Sequence, residues 1–332
     1  MQQILEQLYR QEALSQEQSQ TLFDQIIKGE VEPIVLSSVL TALKIKGETP
    51  EEIAGAAKAL LANAQPFPRP DYDFADIVGT GGDGSNTFNI STTAAFVAAA
   101  VGLKVAKHGN RGVSSKSGSS DLLDSFGINL AMSAEDTRKA VDDMGVAFLF
   151  APQYHQGVRH AMPVRQALKT RTIFNILGPL INPARPNIEL MGVYDESLVA
   201  PIAETMQQMD MKRAAVVHGS GLDEVAIHGT TTVAEIKDGK IEHYTLTAED
   251  FGLNSHPLEA LKGGTPEENR TIVTDLLSGK GTEAQESAVA ANVALLMKLF
   301  GHEDLKANAQ QAIAAMRSGK AYQLVEQLAA RG

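Results

Sequence analysis

Past residue 70 the chain repeats one pattern: a short apolar run, a turn rich in glycine or serine, then a segment of helical periodicity. FADIVGT leads through a glycine turn into a helical stretch at 91–101, and LKVAKHG leads through a basic loop into SGSSDLLDSFG. VAFLFAP, IELMGVY and AAVVHG follow, again separated by helical segments. Apolar runs of about four to eight residues fit strands buried on both faces, and their alternation with helices predicts a largely parallel sheet flanked by helices. EVAIHGTTTVAEIKDGKIEHYTL departs from this, because Asp238-Gly239 between two alternating segments predicts an antiparallel hairpin. The C-terminal part returns to helices, opened by the capping sequence Thr265-Pro266-Glu267-Glu268.

Residues 1–64 carry helical patterns only. Ser15 with Gln18 forms a capping-box pattern ahead of Leu22, Phe23, Ile26 and Ile27, and Gly29 ends that helix. Pro33 suits a first helical turn, and Ile34, Val35, Val39, Leu40 and Leu43 continue the period to Gly47. Thr49-Pro50-Glu51-Glu52 opens a further helix striped by Ile53, Ala56, Ala57, Leu60 and Leu61. Four short helices bury little by themselves, so this unit is expected to pack on another domain or another subunit. Pro66, Pro68 and Pro70 mark a hinge after it. The expected fold class is therefore α/β: a small all-helical domain plus a large α/β domain with a mainly parallel central sheet.

At 332 residues the chain fits two domains. A net charge of −11 argues against non-specific nucleic-acid binding, which needs basic faces to displace counterions. The absence of cysteine removes disulfides, thiolate metal sites and thiol nucleophiles, and is compatible with a reducing compartment. The N-terminus lacks a basic segment followed by an apolar one, and the longest apolar stretch, 94–101, is far short of the ~20 residues of a membrane span. The expectation is a cytoplasmic protein with no membrane or nucleic-acid partner. An anionic ligand then needs a local exception to the overall charge, and one exists: Lys107, His108, Arg111 and Lys116 lie within ten residues with no acid between them.

Two loops carry the chemistry. GTGGDGSNTFNIST, residues 79–92, lies between a strand and a helix. Its glycines permit positive φ and close approach of a ligand to backbone, and the helix that follows offers free N–H groups and the positive end of its dipole. Thr87, Asn89, Ser91 and Thr92 add polar groups there. No lysine follows in the P-loop manner, and Gly79, Gly81, Gly82 and Gly84 do not have dinucleotide-fold spacing. A plain, capped strand–helix connection is the competing reading. KHGNRGVSSKSGSSDLL, residues 107–123, combines cations, hydroxyls and glycines as a pyrophosphate cradle does, although a solvated basic loop has the same composition. Two such loops on successive strand ends favour the phosphate reading.

GTGGDGSNTFNIST, KHGNRGVSSKSGSSDLLDSFG, RTIFNILGPLINPARP at 171–186 and HGSGLDE at 218–224, in that order, resemble the anthranilate phosphoribosyltransferase family along essentially the whole chain. The resemblance implies transfer of a phosphoribosyl group from phosphoribosyl pyrophosphate (PRPP) to anthranilate, with release of pyrophosphate, in tryptophan biosynthesis. It implies a discontinuous helical domain, residues 1–68 with about 160–182 returning to it, that forms homodimers, and an α/β domain of residues 69–159 and 183–332. Whether a glutaminase partner associates is left open. Carried over by motif, Gly79, Gly82, Asp83, Thr87, Asn89, Ile90, Ser91 and Thr92 should contact PRPP. So should Lys107, His108, Gly109, Asn110, Arg111, Gly112, Val113, Ser114, Ser115 and Ser119. Gly79, Asn110 and Arg165 should hold anthranilate, and Ser91, Asp223 and Glu224 should bind Mg2+. Where the family commonly runs Pro-Ala-Met-Lys after the position of His155, this chain has Gln156-Gly157-Val158-Arg159. Ser120 and Asp124 replace a frequent Ala and Glu.

Residue chemistry alone leaves alternatives beside that reading. Asp223 and Glu224 suit a solvated turn as well as a hard cation, for magnesium on a diphosphate needs only one or two protein carboxylates. The planar fork of Arg165 suits an aromatic carboxylate, and equally a surface salt bridge. No Ser-His-Asp or Cys-His arrangement marks covalent catalysis, and no general base is assigned. The rival activities are a pyrimidine nucleoside phosphorylase, which shares the two-domain fold but is expected to carry KHSTGG at the first loop, and a catalytically silent relative.

Overall fold

Seven strands form one sheet in the order β3-β2-β1-β4-β5-β6-β7. They span Ala75–Gly79 (β1), Val105–Gly109 (β2), Val146–Phe150 (β3), Ile188–Gly192 (β4), Arg213–Gly219 (β5), Thr231–Lys237 (β6) and Lys240–Leu246 (β7). The computed structural model describes residues 1–112 and 116–331. β1 to β5 run parallel, while β6 pairs antiparallel with β5 and β7. Asp238 and Gly239, both at positive φ, make the turn of the hairpin. Strand order reverses at β1: the chain proceeds outward through β2 and β3, then returns to lay β4 and β5 on the other side. Such a reversal opens a crevice at the carboxyl ends of the strands.

The N-terminal helices are Gln2–Tyr9 (α1), Gln16–Ile27 (α2), Pro33–Lys46 (α3) and Pro50–Ala62 (α4). Ser15 and Thr49 each complete a capping box with Gln18 and Glu52, an arrangement worth about 1 kcal/mol at each cap. Glu52 is fully buried yet satisfied: its carboxylate accepts from the Leu14 amide at 2.8 Å and pairs with Lys46 at 2.7 Å. The expected stripe of α2 is buried, as are Val39, Leu40 and Leu43 of α3 and most of the stripe of α4. Ile34 is not; it is 83% exposed. Counting along α3 explains this, since Ile34, Ser38, Thr41 and Ile45 lie on the face turned away from the core.

The bundle does not close a core of its own. Leu22, Leu40, Ile53 and Leu60 share one apolar cluster with Phe174 and Leu177 of helix Phe174–Leu180, with Ile202 and Met206 of helix Val199–Gln208, and with Met191 and Val216 of the sheet. A second cluster covers the opposite sheet face with the helices Ile90–Ala100 (α5) and Glu283–Leu299. The latter is buried nearly all round, which matches its Ala- and Leu-rich sequence. Among the described residues no helix is long and apolar enough to cross a membrane.

Candidate active site

The loops after β1, β2 and β5 all emerge at the carboxyl edge of the parallel strands. After β1 the turn contains Gly81, Gly82 and Gly84, each with φ near +70° to +80°. These are backbone angles that side chains with a Cβ resist. α5 begins at Ile90, and Asn89 before it gives no side-chain cap, leaving amides of the first turn for other acceptors. Two are used internally: the Ile90 amide donates to the Phe88 carbonyl at 2.7 Å, and Ser91 donates through its amide at 3.2 Å, and through its hydroxyl, to the Glu224 carboxylate.

Asp223 and Glu224, on the loop after β5, come back over the ends of β1 and β4. The Asp223 carboxylate accepts from the Gly81 amide at 2.6 Å, and the Asp223 amide donates to Asp83 at 3.4 Å. Burial, then the neighbouring Glu224 and Asp83, hold the Asp223 carboxyl well above the usual range. Burial pushes Glu224 up to about 7, against the pull of the Ser91 hydroxyl and Lys107. A crowded pair of acids like this can be relieved by a cation. Among the described residues, however, no three His, Cys, Asp or Glu groups could hold a metal ion by themselves.

Two glycines make room for the acid. A Cβ on Gly79 would lie 2.3 Å from Asp223 Oδ2, and one on Gly192 would lie 1.7 Å from the Asp223 main-chain oxygen. Gly192 was not singled out in the sequence, because only the sheet order brings the β5 loop over the end of β4. A Gly192→Ala substitution must displace backbone, at a cost of about 1–3 kcal/mol. The expected outcome is a soluble protein with Tm a few degrees lower and activity reduced at least about tenfold, read by calorimetry and a turnover assay.

The loop after β2 meets the glycine turn through Asn89, whose amide donates to the Ser117 carbonyl at 3.0 Å and whose Oδ1 accepts from Asn269 at 2.9 Å. Helix Ser119–Ser125 (α6) starts against β2: Ser119 Oγ donates to the Asn110 carbonyl at 3.2 Å, and a Cβ on Gly109 would collide with that hydroxyl. Asp121 gathers the Gly112 and Gly118 amides, both at 2.8 Å. Val113, Ser114 and Ser115 lie outside the described residues. Thr87 bridges to Lys262, and Ile90 and Thr92 are buried in the first turn of α5.

The cations of this loop are more engaged than their sequence spacing implies. Lys107 is buried and donates to the Ile77 carbonyl at 2.6 Å, amid Asp76, Glu224, Asp223 and Glu189; burial lowers its pKa against the pull of those acids. His108 is buried, with Nδ1 3.2 Å from the Gly178 carbonyl, and burial and the neighbouring His155 push its pKa down to about 3, so it is neutral. Asp76 accepts from the His108 amide and from Asn182, and burial raises it to about 6. Arg111 pairs with Asp121 at 3.0 Å and lies 3.8 Å from Asp124, acids that follow the basic run by one turn of α6. Asp124, one of the departures from the family pattern, is thus a partner of the loop itself. The departure at 156–159 packs on the bundle, with Gly157 against Ile27.

Arg165 stands on helix Met162–Leu168, half-buried, its guanidinium 5.1 Å from the Phe174 ring centre and 3.7 Å from the Met162 sulfur. Burial lowers its pKa. Among the described residues it has no carboxylate partner. Arg171 was not named among the candidates, yet its guanidinium reaches the glycine turn and donates to the Gly82 carbonyl. Its place in RTIFNILGPLINPARP was visible, but its partner, 89 positions away, was not.

A helical bundle joined to a sheet whose β1 and β2 ends carry phosphate-type loops is the architecture of a glycosyl transferase, and residues 2–64 and 71–322 match the helical bundle domain and the a/b domain of the family so described. Within that class, the chain belongs to the anthranilate phosphoribosyltransferase family. It is 83% identical over 330 residues to the anthranilate phosphoribosyltransferase of Vibrio parahaemolyticus, covering 99% of both chains. The crystal structure of anthranilate phosphoribosyltransferase from Thermus thermophilus superposes with a TM-score of 0.93 at 40% identity, over 98% of both chains. The Saccharomyces cerevisiae enzyme in complex with PRPP and Mg superposes with a TM-score of 0.88 at 33% identity, over 96% of this chain and 93% of that one.

Proposed function

We propose that this chain transfers the phosphoribosyl group of PRPP to the amine of anthranilate, releasing pyrophosphate, as a magnesium-dependent step of tryptophan biosynthesis. The observation that carries the reading is the convergence of glycine turn, α5 N-terminus, β2 loop and crowded acid pair at one strand edge. The glycine turn and α5 start at residues 79–92, with the loop and α6 start at residues 107–119, receive the phosphates of PRPP. The Arg165 fork takes the anthranilate carboxylate, with Gly79 and Asn110 beside it. Magnesium would be held by Asp223, Glu224 and the Ser91 hydroxyl together with the diphosphate, a donor set that fits a hard cation needing one or two carboxylates. When bound, it supplies positive charge to the departing pyrophosphate.

In the transfer, the C1′–O bond to pyrophosphate breaks as the anthranilate nitrogen bonds to C1′, and the nitrogen then sheds its proton. Aromatic amines are neutral near pH 7, so no base is required before attack. Fixed amides and placed substrates supply the acceleration, through positioning and through dipoles already aimed at the charge that develops. The direct test is anthranilate fluorescence, which should fall on addition of PRPP and magnesium. Steady fluorescence with phosphorolysis of thymidine or uridine would establish the phosphorylase instead, and binding of both ligands without pyrophosphate release the silent relative. The phosphorylase reading is disfavoured by GTGGDGSNTFN at the first loop.

Residues 1–68 with about 160–182 form the helical domain of this reading, supported by Ala161, Val164 and Phe174 sharing an apolar cluster with α2 to α4. It works in the cytoplasm as a homodimer joined through that domain. Support comes from the outer face of α1 and α3, where Ile34, Ile45 and Tyr9 are 83%, 70% and 54% exposed around one shallow groove. Ile34→Glu with Ile45→Glu is expected to give a folded monomer, checked by light scattering after size exclusion; a dimer of unchanged mass removes this face from consideration.

A further inference from the structure

We propose that Arg171 is a positioning residue that clamps the glycine turn in its PRPP-binding shape and couples it to the helical bundle; this rests on the reading of that turn as the diphosphate cradle. Arg171 touches three parts of the molecule. Its guanidinium donates to the Gly82 carbonyl. The guanidinium carbon lies 3.9 Å from the Tyr194 ring centre, just beyond β4. Its own carbonyl accepts from Lys44 of α3 at 2.8 Å. Tyr194 holds the same turn from its other end, its amide donating to Thr80 Oγ1 at 3.0 Å.

The clamp matters because of peptide geometry. A trans peptide is planar, with carbonyl and following N–H on opposite sides. Anchoring the Gly82 carbonyl on Arg171 therefore fixes the Asp83 N–H on the far side of that peptide. Gly81 and Gly82 sit at φ +68° and +78° and give the backbone freedom to turn a peptide over, so the sequence that lets the turn wrap a phosphate also lets it collapse. The Arg171 fork, held over the Tyr194 ring, selects one orientation. Lysine cannot reproduce this, because it has neither the planar fork nor the stacking face.

Three variants test the idea: Arg171→Ala, Arg171→Lys and Tyr194→Leu. Arg171→Ala is expected to raise the KM for PRPP about tenfold, the scale of one lost charged hydrogen bond, with the anthranilate KM within about twofold. Arg171→Lys should recover little of that loss. Tyr194→Leu should raise the PRPP KM too, and adding it to Arg171→Ala should add almost nothing, because both break one clamp. Amide exchange over residues 80–86, without ligands, should quicken in each variant; this readout stands whether or not the parent protein transfers phosphoribosyl groups. Unchanged exchange with an unchanged PRPP KM overturns the proposal, as does full rescue by lysine. An anthranilate KM that rises as much as the PRPP KM shows that Arg171 does not act through the donor turn and also overturns it.

Discussion

Replacing Asp223 with Asn together with Glu224 with Gln is expected to cut turnover about a hundred- to a thousandfold, the scale on which removing fixed charge from a reacting centre acts. The fold should survive. Each amide oxygen can still accept the bond its carboxylate accepts now, from the Gly81 amide and from Ser91. The reason for the large kinetic effect is the same crowding that raises both carboxyls: burial first, then the acids beside them. A site that holds two such buried groups beside the glycine turn spends stability on charge that a cation would relieve.

That cost has a sign that can be measured. Both folded-state pKa values lie above their unfolded values. Their contribution to stability is complete below about pH 4 and is lost as pH rises through the folded values, about 7 for Glu224. Without ligands, the double variant should therefore escape a loss of stability that the parent suffers between about pH 4 and 7, and at pH 8 it should melt at or above the parent. With magnesium and PRPP added, the order should reverse, since a ligand raises Tm only of a state that binds it. A magnesium titration of rate that is the same for parent and variant would remove these acids from the metal site.

Much of this arrangement is written locally and was legible. Capping boxes at Ser15, Thr49 and Thr265 mark helix starts because their partners lie three residues away. The strand-turn-helix rhythm marks both phosphate-type loops for the same reason. What sequence hides is whatever depends on strand order. Gly192 looks like any residue at a strand end until the β5 loop crosses it. Lys107 reads as a free cation, but its position in β2 turns it onto the Ile77 carbonyl and into a nest of four acids. Arg111 reads the same way, although the acids that pair with it are only ten and thirteen residues on, brought back by the turn into α6. Ile34 breaks the predicted stripe of α3 because that helix has two apolar faces and only one is covered within the chain.

Arg165→Ala is expected to raise the anthranilate KM by about ten- to a hundredfold and to leave the PRPP KM within about twofold. A hydrogen-bonded charge pair contributes roughly 1.5–3 kcal/mol, which sets that range. The surroundings of Arg165 support that proposal. Arg165 is half-buried against Phe174 and Met162, burial lowers its pKa, and no described acid balances its charge. A guanidinium desolvated without a counter-charge is costly in the free protein, and a planar carboxylate is the group that relieves it bidentately. Arg165→Lys should fall between parent and alanine variant, since the charge remains while the fork is lost. Aniline supplies the decisive comparison, because it keeps the nucleophilic amine and lacks the carboxylate. The parent should use it poorly, and Arg165→Ala should use it no worse than the parent does. If the alanine substitution depresses aniline and anthranilate turnover alike, Arg165 acts on the fold or on the donor, and the anthranilate carboxylate is held elsewhere.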